Sequence, residues 1–173
     1  MNQRLARTSV FLLALILTSC GYHTAGKGSR LPTDLQTLAV PAFVNQTQTY
    51  RIEAVLTEAV VREFNTRTRY RVVGDPAGAD AVLKGTVTGT QLAPLTYDSN
   101  TGRASTALVT VNMKVVLTAR DGRVLYQNSN FVYREQYQIS RELSSFFEEQ
   151  GPAMQRLSQD FARTLVSNVL EMY

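Results

Sequence analysis

The most regular pattern in the chain is an alternation of apolar and polar residues from Thr106 to Thr118. Successive side chains of a β-strand point to opposite faces, so this segment predicts a strand with one buried and one polar face. The buried set occupies the odd positions, and the polar set is mostly threonine. Similar patterns predict strands over 83–92, with Lys84, Thr86, Thr88 and Thr90 on the polar side, and over 124–138, with Phe131, Tyr133 and Tyr137 sharing a face.

Turn signals separate these three strands and predict antiparallel hairpins. Asp121-Gly122 is a dipeptide typical of a two-residue hairpin turn. The segment 96–103, TYDSNTGR, is polar and predicts a longer hairpin tip.

Two other segments repeat apolar residues every three or four positions, which is typical of amphipathic helices. The first helix is predicted over 50–65, with Thr49 as its N-cap. The second is predicted from Pro152 to nearly Tyr173, and 140–149 is expected to hold one or two helical turns.

Short apolar runs predict strands over 37–44 and 70–73, and Pro41 restricts the first to a sheet edge or a strand end. The order is strand, helix, three or four strands, helix. It predicts an α+β fold: a two-layer sandwich with two helices on one face of a mainly antiparallel sheet of about four strands. A single domain is expected over 35–173.

The N-terminus has the layout of a secretory signal. Arg4 and Arg7 precede an apolar run from Val10 to Leu17. That run is far shorter than the roughly 20 residues that a membrane-spanning helix needs. The signal is predicted to cover residues 1–19.

Leu17-Thr18-Ser19-Cys20 resembles the bacterial lipobox. The resemblance implies that Cys20 carries a diacylglyceryl group and is the first residue of the mature protein. The alternative is an ordinary signal followed by an unrelated thiol, but the only cysteine of the chain lies where a lipobox requires it. Residues 20–34 are predicted to form the lipid anchor and a Gly-rich tether, and Gly21 favours sorting to the periplasmic face of the outer membrane.

Composition narrows the function classes. Removal of residues 1–19 leaves 154 residues and takes away two arginines and no acid, so the net charge falls from +4 to +2. This small charge gives no case for nucleic-acid binding. Acylation of Cys20 would leave no thiol for a disulfide, and His23 is the only histidine, which argues against structural zinc.

The sequence does not predict an enzyme. It has no Gly-x-Ser-x-Gly elbow and no phosphate-binding Gly-Lys-Ser/Thr loop. His23 lies three residues from the predicted anchor, where a closed active site is hard to build. No catalytic residue, metal site or cofactor is expected beyond the lipid on Cys20, and the chain is interpreted as a binding or assembly protein.

Two sets of polar residues are candidates for binding. The threonine-rich face suits contact with another polar surface, although threonine is also common on solvated strands. Cations at or near the hairpin turns could meet lipid phosphates, or could be no more than solvated turn residues. The partner-facing candidates are Thr96, Ser99, Thr110 and Asn112, and the candidates for binding anionic lipid headgroups or phosphates are Arg103, Lys114, Arg120 and Arg123.

Three segments resemble the LptE family of lipopolysaccharide-assembly lipoproteins. They are Cys20-Gly21-Tyr22-His23 with Gly26, the strand-like Leu38–Asn45, and the helix-like Arg51–Phe64. The resemblance implies a sandwich of two helices and about four strands inside the LptD β-barrel, in a one-to-one complex that inserts lipopolysaccharide into the outer leaflet. It also implies lipopolysaccharide binding through basic residues.

Two alternatives share the segment Val40–Thr47 followed by a helix. One is a lipoprotein that activates a peptidoglycan synthase, which usually has a long linker, whereas the tether here has only about a dozen residues. The other is a secretion-channel lipoprotein of the curli type, which would form a ring.

Overall fold

A computed structural model describes residues 35–138 and 152–171. The predicted signal, Cys20, the tether, the helical turns expected over 140–149 and residues 172–173 lie outside the described residues. Six strands and two helices follow one another along the chain: β1 Thr37–Ala39, β2 Val44–Asn45, α1 Ile52–Arg67, β3 Arg71–Val73, β4 Ala81–Tyr97, β5 Ala104–Ala119, β6 Val124–Gln138 and α2 Pro152–Glu171.

The sheet is mixed, with strand order β3-β1-β4-β5-β6 and with β2 also beside β4. Strands β4, β5 and β6 form the predicted antiparallel meander. The prediction of about four mainly antiparallel strands is wrong, because β1 lies parallel to both β3 and β4, and β2 parallel to β4. Helix α1 returns the chain to the end at which it started, and a strand that follows such a crossover runs parallel to the strand before it.

The strand expected over 37–44 is two strands. Strand β1 ends at Ala39 and β2 begins at Val44, with Pro41 between them. Proline has no N–H for a ladder. The amide of Phe43 donates to Thr57 Oγ1 at 3.0 Å, so the chain turns toward α1 before it rejoins the sheet.

One face of the sheet packs against both helices, as predicted. Every odd position of β5 from Ala107 to Leu117 is at most 1% exposed. Phe161 of α2 lies edge-on to Phe131 and Tyr133 of β6, with ring centroids 5.8 and 5.7 Å away. Burial of such large apolar side chains is the main stabilising contribution in a fold of this size.

An irregularity between Val87 and Gly89 reverses the faces of β4. Thr90, expected on the polar side, instead lies opposite the buried Val111, and its Oγ1 is 2.7 Å from Thr49 Oγ1. Thr49 is therefore not the N-cap of α1. The helix begins after Arg51, which has a left-handed backbone (φ 51°) and no side-chain capping bond.

The sheet has two distinct ends. At one end Leu35 precedes β1, close to the turn between β5 and β6. The hairpin predicted at Asp121-Gly122 is present, and Gly122 takes a φ of 87°, but its loop is longer than two residues, because the amide of Ala119 donates to the carbonyl of Arg123 at 2.8 Å. At the other end is the loop between β4 and β5, residues 98–103. We call these the tether end and the hairpin tip, and a strand as long as β4 separates them by about 50 Å.

Candidate functional site

The outer face of the sheet, which points away from the helices, carries three cations that cross it obliquely. Lys84, Lys114 and Arg134 lie on β4, β5 and β6, and we call them the cationic strip. Lys84 pairs with Val116 and Lys114 with Thr86 in the β4–β5 register. The two lysines are thus diagonal neighbours, roughly 7–8 Å apart at the backbone.

Arg134 extends the strip onto β6. It lies opposite Thr110, four residues along β5 from Lys114, or about 13 Å along the strand. In the described strands β4 to β6, no acidic residue occupies an outer-face position, and the three cations make no ion pair with any described residue. Their positive charge is therefore not neutralised locally.

Hydroxyl and amide side chains surround the cationic strip. Thr88 Oγ1 donates to the main-chain oxygen of Asn112 at 3.2 Å. The Asn112 amide lies over Gly89, and its Nδ2 would be 3.1 Å from a Cβ at that position. Glycine here leaves room for an amide at the centre of the outer face.

The four predicted partner-facing residues have different environments. Thr96 and Ser99 are exposed at the hairpin-tip end, and Asn112 is half-buried on the outer face. Thr110 is on the outer face but only 7% exposed. It lies between its cross-strand neighbours Gln91 and Arg134, whose longer side chains stand on either side of it, so it offers a partner little surface.

The structure separates the four predicted lipopolysaccharide-binding cations. Arg103 is the last residue of the hairpin tip, Lys114 belongs to the cationic strip, and Arg120 and Arg123 lie at the tether end. They do not form one cluster, because the two hairpin turns are at opposite ends of the sheet.

Arg120 has a structural role at the tether end. Its Nη2 lies 3.0 Å from Asp80 Oδ1, and its guanidinium also donates to the carbonyls of Gly78 and Ala79. The other oxygen of Asp80 accepts from the amide of Thr37 at 2.8 Å. This backbone hydrogen bond, with one from Gln36 and the charge of Arg120, holds the pKa of Asp80 below its ordinary value.

The hairpin tip is an ordered turn. Asp98 Oδ1 accepts from the amides of Asn100 and Thr101 at 3.0 and 2.7 Å, and from the Thr101 hydroxyl at 2.9 Å. The bonds from Thr101 and Asn100 lower the pKa of Asp98. A tip with a fixed shape can present Ser99 and its neighbours at constant positions.

Sequence reasoning did not single out Lys84 or Arg134. Lys84 was assigned correctly to the polar side of its strand, but its link to Lys114 depends on the β4–β5 register. Arg134 is at an even position of β6, as are the other residues that face outward around it, such as Gln136. This alternation is the signal that could have identified it.

Residues 35–138 and 152–171 contain no group of three or more His, Cys, Asp or Glu side chains that could hold a metal ion. Neither helix among those residues is long and apolar enough to cross a membrane.

A sequence profile of the LptE family, described as lipopolysaccharide-assembly, matches residues 35–169. The chain belongs to the LptE family. The match covers both helices almost completely and all six strands of the sheet. No curated protein matches the sequence.

Solved structures of distant sequence share the LptE-family fold seen here. A dodecameric point variant of PelC from Paraburkholderia phytofirmans is 14% identical in sequence, with a TM-score of 0.53. The superposed region covers 79% of this chain and 90% of the PelC chain. The hypothetical protein CT253 from Chlamydia trachomatis is 11% identical with a TM-score of 0.54, over 78% of this chain and 95% of the CT253 chain. Uncharacterised lipoprotein B from Nitrosomonas europaea is 11% identical with a TM-score of 0.52, over 80% of this chain and 84% of the lipoprotein B chain.

Proposed function

We propose that this LptE-family protein is an outer-membrane lipoprotein that plugs an LptD-like β-barrel in a one-to-one complex and takes part in inserting lipopolysaccharide into the outer leaflet. The observation that carries the proposal is the outer face of the sheet. Most of its side chains are polar, it bears the cationic strip, and no described element of the chain covers it. The family match supports the role in lipopolysaccharide assembly.

A plug inside a large barrel needs a polar surface, because the interior of such a barrel is itself polar. The outer face meets this need with threonine, asparagine and glutamine side chains, while the odd-numbered apolar residues of β5 remain buried under the helices. The domain can therefore enter a lumen without rearranging its core.

The cationic strip supports contact with lipopolysaccharide. That lipid presents phosphate groups beside sugar hydroxyls. Lysine and arginine bind phosphate through charge-assisted hydrogen bonds, and the neighbouring Thr86, Thr88 and Asn112 can donate to and accept from hydroxyls. We propose Lys84, Lys114 and Arg134 as the residues that receive the phosphates.

Photocrosslinking in cells tests the barrel complex. A photoreactive amino acid at Thr88 or Gln136 on the outer face, or at Ser99 in the hairpin tip, should capture an outer-membrane barrel. The matched control is Gln159, which is exposed on α2 and should capture the barrel more weakly. Absence of a barrel from all three sites would contradict the plug. A homo-oligomer would then favour a curli-type ring, and capture of a peptidoglycan synthase would favour the activator.

Binding of purified lipopolysaccharide to the purified protein tests the cationic strip. Lys84→Ser with Lys114→Ser should weaken binding several-fold, because two charge-assisted contacts are lost. Arg156→Glu on α2 changes the net charge by the same two units and should bind as the wild type does. Equal weakening by both variants would show that only overall charge matters, and would contradict a role for the strip.

A further inference from the structure

The chain enters the domain at a closely bonded point of the tether end. The amides of Gln36 and Thr37 donate to Asp80 Oδ2 at 3.1 and 2.8 Å. The carbonyl of Gln36 accepts from the amide of Arg71 at 2.8 Å. Leu35, just before them, is only 6% exposed. The tether therefore leaves the domain from a fixed place.

Four arginines flank this place, and we call them the arginine row: Arg69, Arg71, Arg120 and Arg123. Arg69 and Arg71 lie at or just before the start of β3, and Arg120 and Arg123 lie in the turn between β5 and β6. The row is therefore spread across the tether end of the sheet. With the strand order β3-β1-β4-β5-β6, the row from Arg71 to Arg123 is about 20 Å long.

The members of the arginine row differ in how far their charge is already neutralised. Arg120 pairs with Asp80 and Arg123 with Asp121, at 3.0 and 3.7 Å, and both guanidinium groups remain more than half exposed. Arg69 and Arg71 are exposed and make no ion pair with a described residue. The free charge of the row is therefore concentrated beside β3.

The length of the tether brings this end of the domain near a membrane. Fourteen residues, 21–34, separate Cys20 from Leu35, and a chain of that length spans at most about 50 Å. The hairpin tip lies about 50 Å further along the sheet. The tether end therefore always lies within about 50 Å of the leaflet that contains the lipid of Cys20, whereas the hairpin tip can lie up to about 100 Å from it. A contact made by the domain's own surface must decide which end faces the leaflet.

We propose that the arginine row binds the phosphate headgroups of the leaflet in which the Cys20 lipid is inserted, so that the domain stands with its tether end on the bilayer and its hairpin tip directed away from the anchor. The proposal rests on the lipidation in the proposed function. It deepens that function, because it fixes the hairpin tip as the end that leads into a barrel.

The chemistry of the row fits a phosphate surface. Guanidinium groups bind phosphate through two parallel hydrogen bonds and are more weakly hydrated than ammonium groups. A cavity of about 360 Å³ next to Arg120 and Arg123 is lined by Leu35 and Leu125, and also by the carboxylates of Asp80 and Asp121 that pair with these two arginines. Arg69 and Arg71 are therefore the members of the row whose charge is fully available to phosphate.

Fluorescence quenching in lipid nanodiscs tests the orientation. The acylated mature protein is reconstituted in discs that contain phosphatidylglycerol and a lipid with a nitroxide on its headgroup. Acylated Cys20 has no free thiol, so a fluorophore can be attached uniquely through Gln36→Cys at the tether end or Asn100→Cys at the hairpin tip. Strong quenching is expected at position 36 and little at position 100.

Charge variants test the arginine row itself. Arg69→Gln with Arg71→Gln should reduce quenching at position 36 in phosphatidylglycerol discs, because each neutralised cation weakens attraction to an anionic surface by roughly fivefold. The control Arg156→Glu also lowers the net charge by two and should have no effect. In discs of phosphatidylcholine alone, whose headgroup phosphate is balanced by a choline cation, the double variant and the wild type should be quenched alike.

Three outcomes would overturn the proposal: equal quenching at both positions, no effect of the double variant, or an equal effect of Arg156→Glu. Failure of the lipidation is recognised separately, because mass spectrometry of the protein would show no acyl chains on Cys20. Failure of the barrel complex is recognised by crosslinking in cells, which the nanodisc measurement does not use.

Discussion

Phe43 occupies the space where a side chain at position 85 would stand. A Cβ on Gly85 would lie 2.7 Å from Phe43 Cδ1 and 2.9 Å from Met113 Cε, both inside van der Waals contact. The glycine therefore lets the segment between β1 and β2 pack directly on β4, and it holds Phe43 at 3% exposure in the core.

Gly85→Ala should destabilise the domain by about 1–3 kcal/mol, since an extra methyl in a close-packed core forces its neighbours to shift. The measurement is the free energy of unfolding in urea. Gly74→Ala is the matched control, because a Cβ there meets nothing within 4 Å. Similar losses in the two variants would contradict the steric explanation.

Val111→Asp should be far more harmful than Thr88→Asp. Val111 is fully buried between the sheet and the helices, and an unpaired carboxylate there costs several kcal/mol or prevents folding. Thr88 is exposed on the outer face. Melting temperatures compare the two variants, and equal losses would show that the faces of the sheet are assigned wrongly.

Thr110 illustrates what the sequence can and cannot reveal. The alternation from 106 to 118 predicts correctly which side of β5 is buried, and the spacing of apolar residues predicts both helices. Coverage of Thr110 depends on neighbours in other strands, and so does the juxtaposition of Lys84, Lys114 and Arg134. Pattern within one segment carries no information about the register between segments.

The parallel pairing of β1, β2 and β3 could not be predicted from the sequence pattern for a different reason. Strands β1, β2 and β3 contain only two or three residues each, too few for an alternation to be recognised. The reversal of β4 at Gly89 was also hidden, because Thr88 and Thr90 continue the polar alternation through the irregularity. Tertiary contacts, not local preference, decide the structure at these places.

Asp80 should make stability depend on acidic pH. Its pKa lies below the ordinary value of 3.8 in the folded protein, so its stabilisation is fully present above that value and is lost as the pH falls through the lower folded pKa. Asp80→Asn should therefore be less stable than the wild type at pH 7, with the difference shrinking toward pH 2. Urea unfolding at several pH values measures this, and a difference independent of pH would contradict it.

Tyr133 and Tyr137 should depend on one another for stability. Their hydroxyls are 2.8 Å apart in the core, the Tyr137 hydroxyl also donates to Asp160 at 3.4 Å, and burial raises the pKa of Tyr133 to about 12. Tyr137→Phe leaves the Tyr133 hydroxyl without this partner and should cost about 1–3 kcal/mol.

Two further variants complete the test of the tyrosine pair. Tyr97→Phe alters a tyrosine that is 63% exposed and should be close to neutral. Tyr133→Phe with Tyr137→Phe should cost less than the sum of the single variants, because both hydroxyls are removed together. Additive losses in unfolding free energy would argue against coupling.

Cys20 is predicted to carry the lipid anchor. Labelled palmitate should enter the wild-type protein in cells and not Cys20→Ala, because Cys20 is the only cysteine of the chain. Immunoprecipitation followed by detection of the label measures this. Label that persists in the variant would exclude the lipobox interpretation.

The position of β1 has a consequence for the order of folding. Strands β4, β5 and β6 are joined by short turns, so their pairing can begin with local contacts at the turns and extend along the strands from there. The bond from Thr37 to Asp80 spans 43 residues, and it requires α1 to have brought the chain back beside β4. Closing so long a loop costs more entropy and comes later. In a chain held by its N-terminus, β1, the strand that joins the domain to its anchor, would therefore pair last. Until β1 pairs, the rest of the sheet would remain free to reorient relative to the anchor.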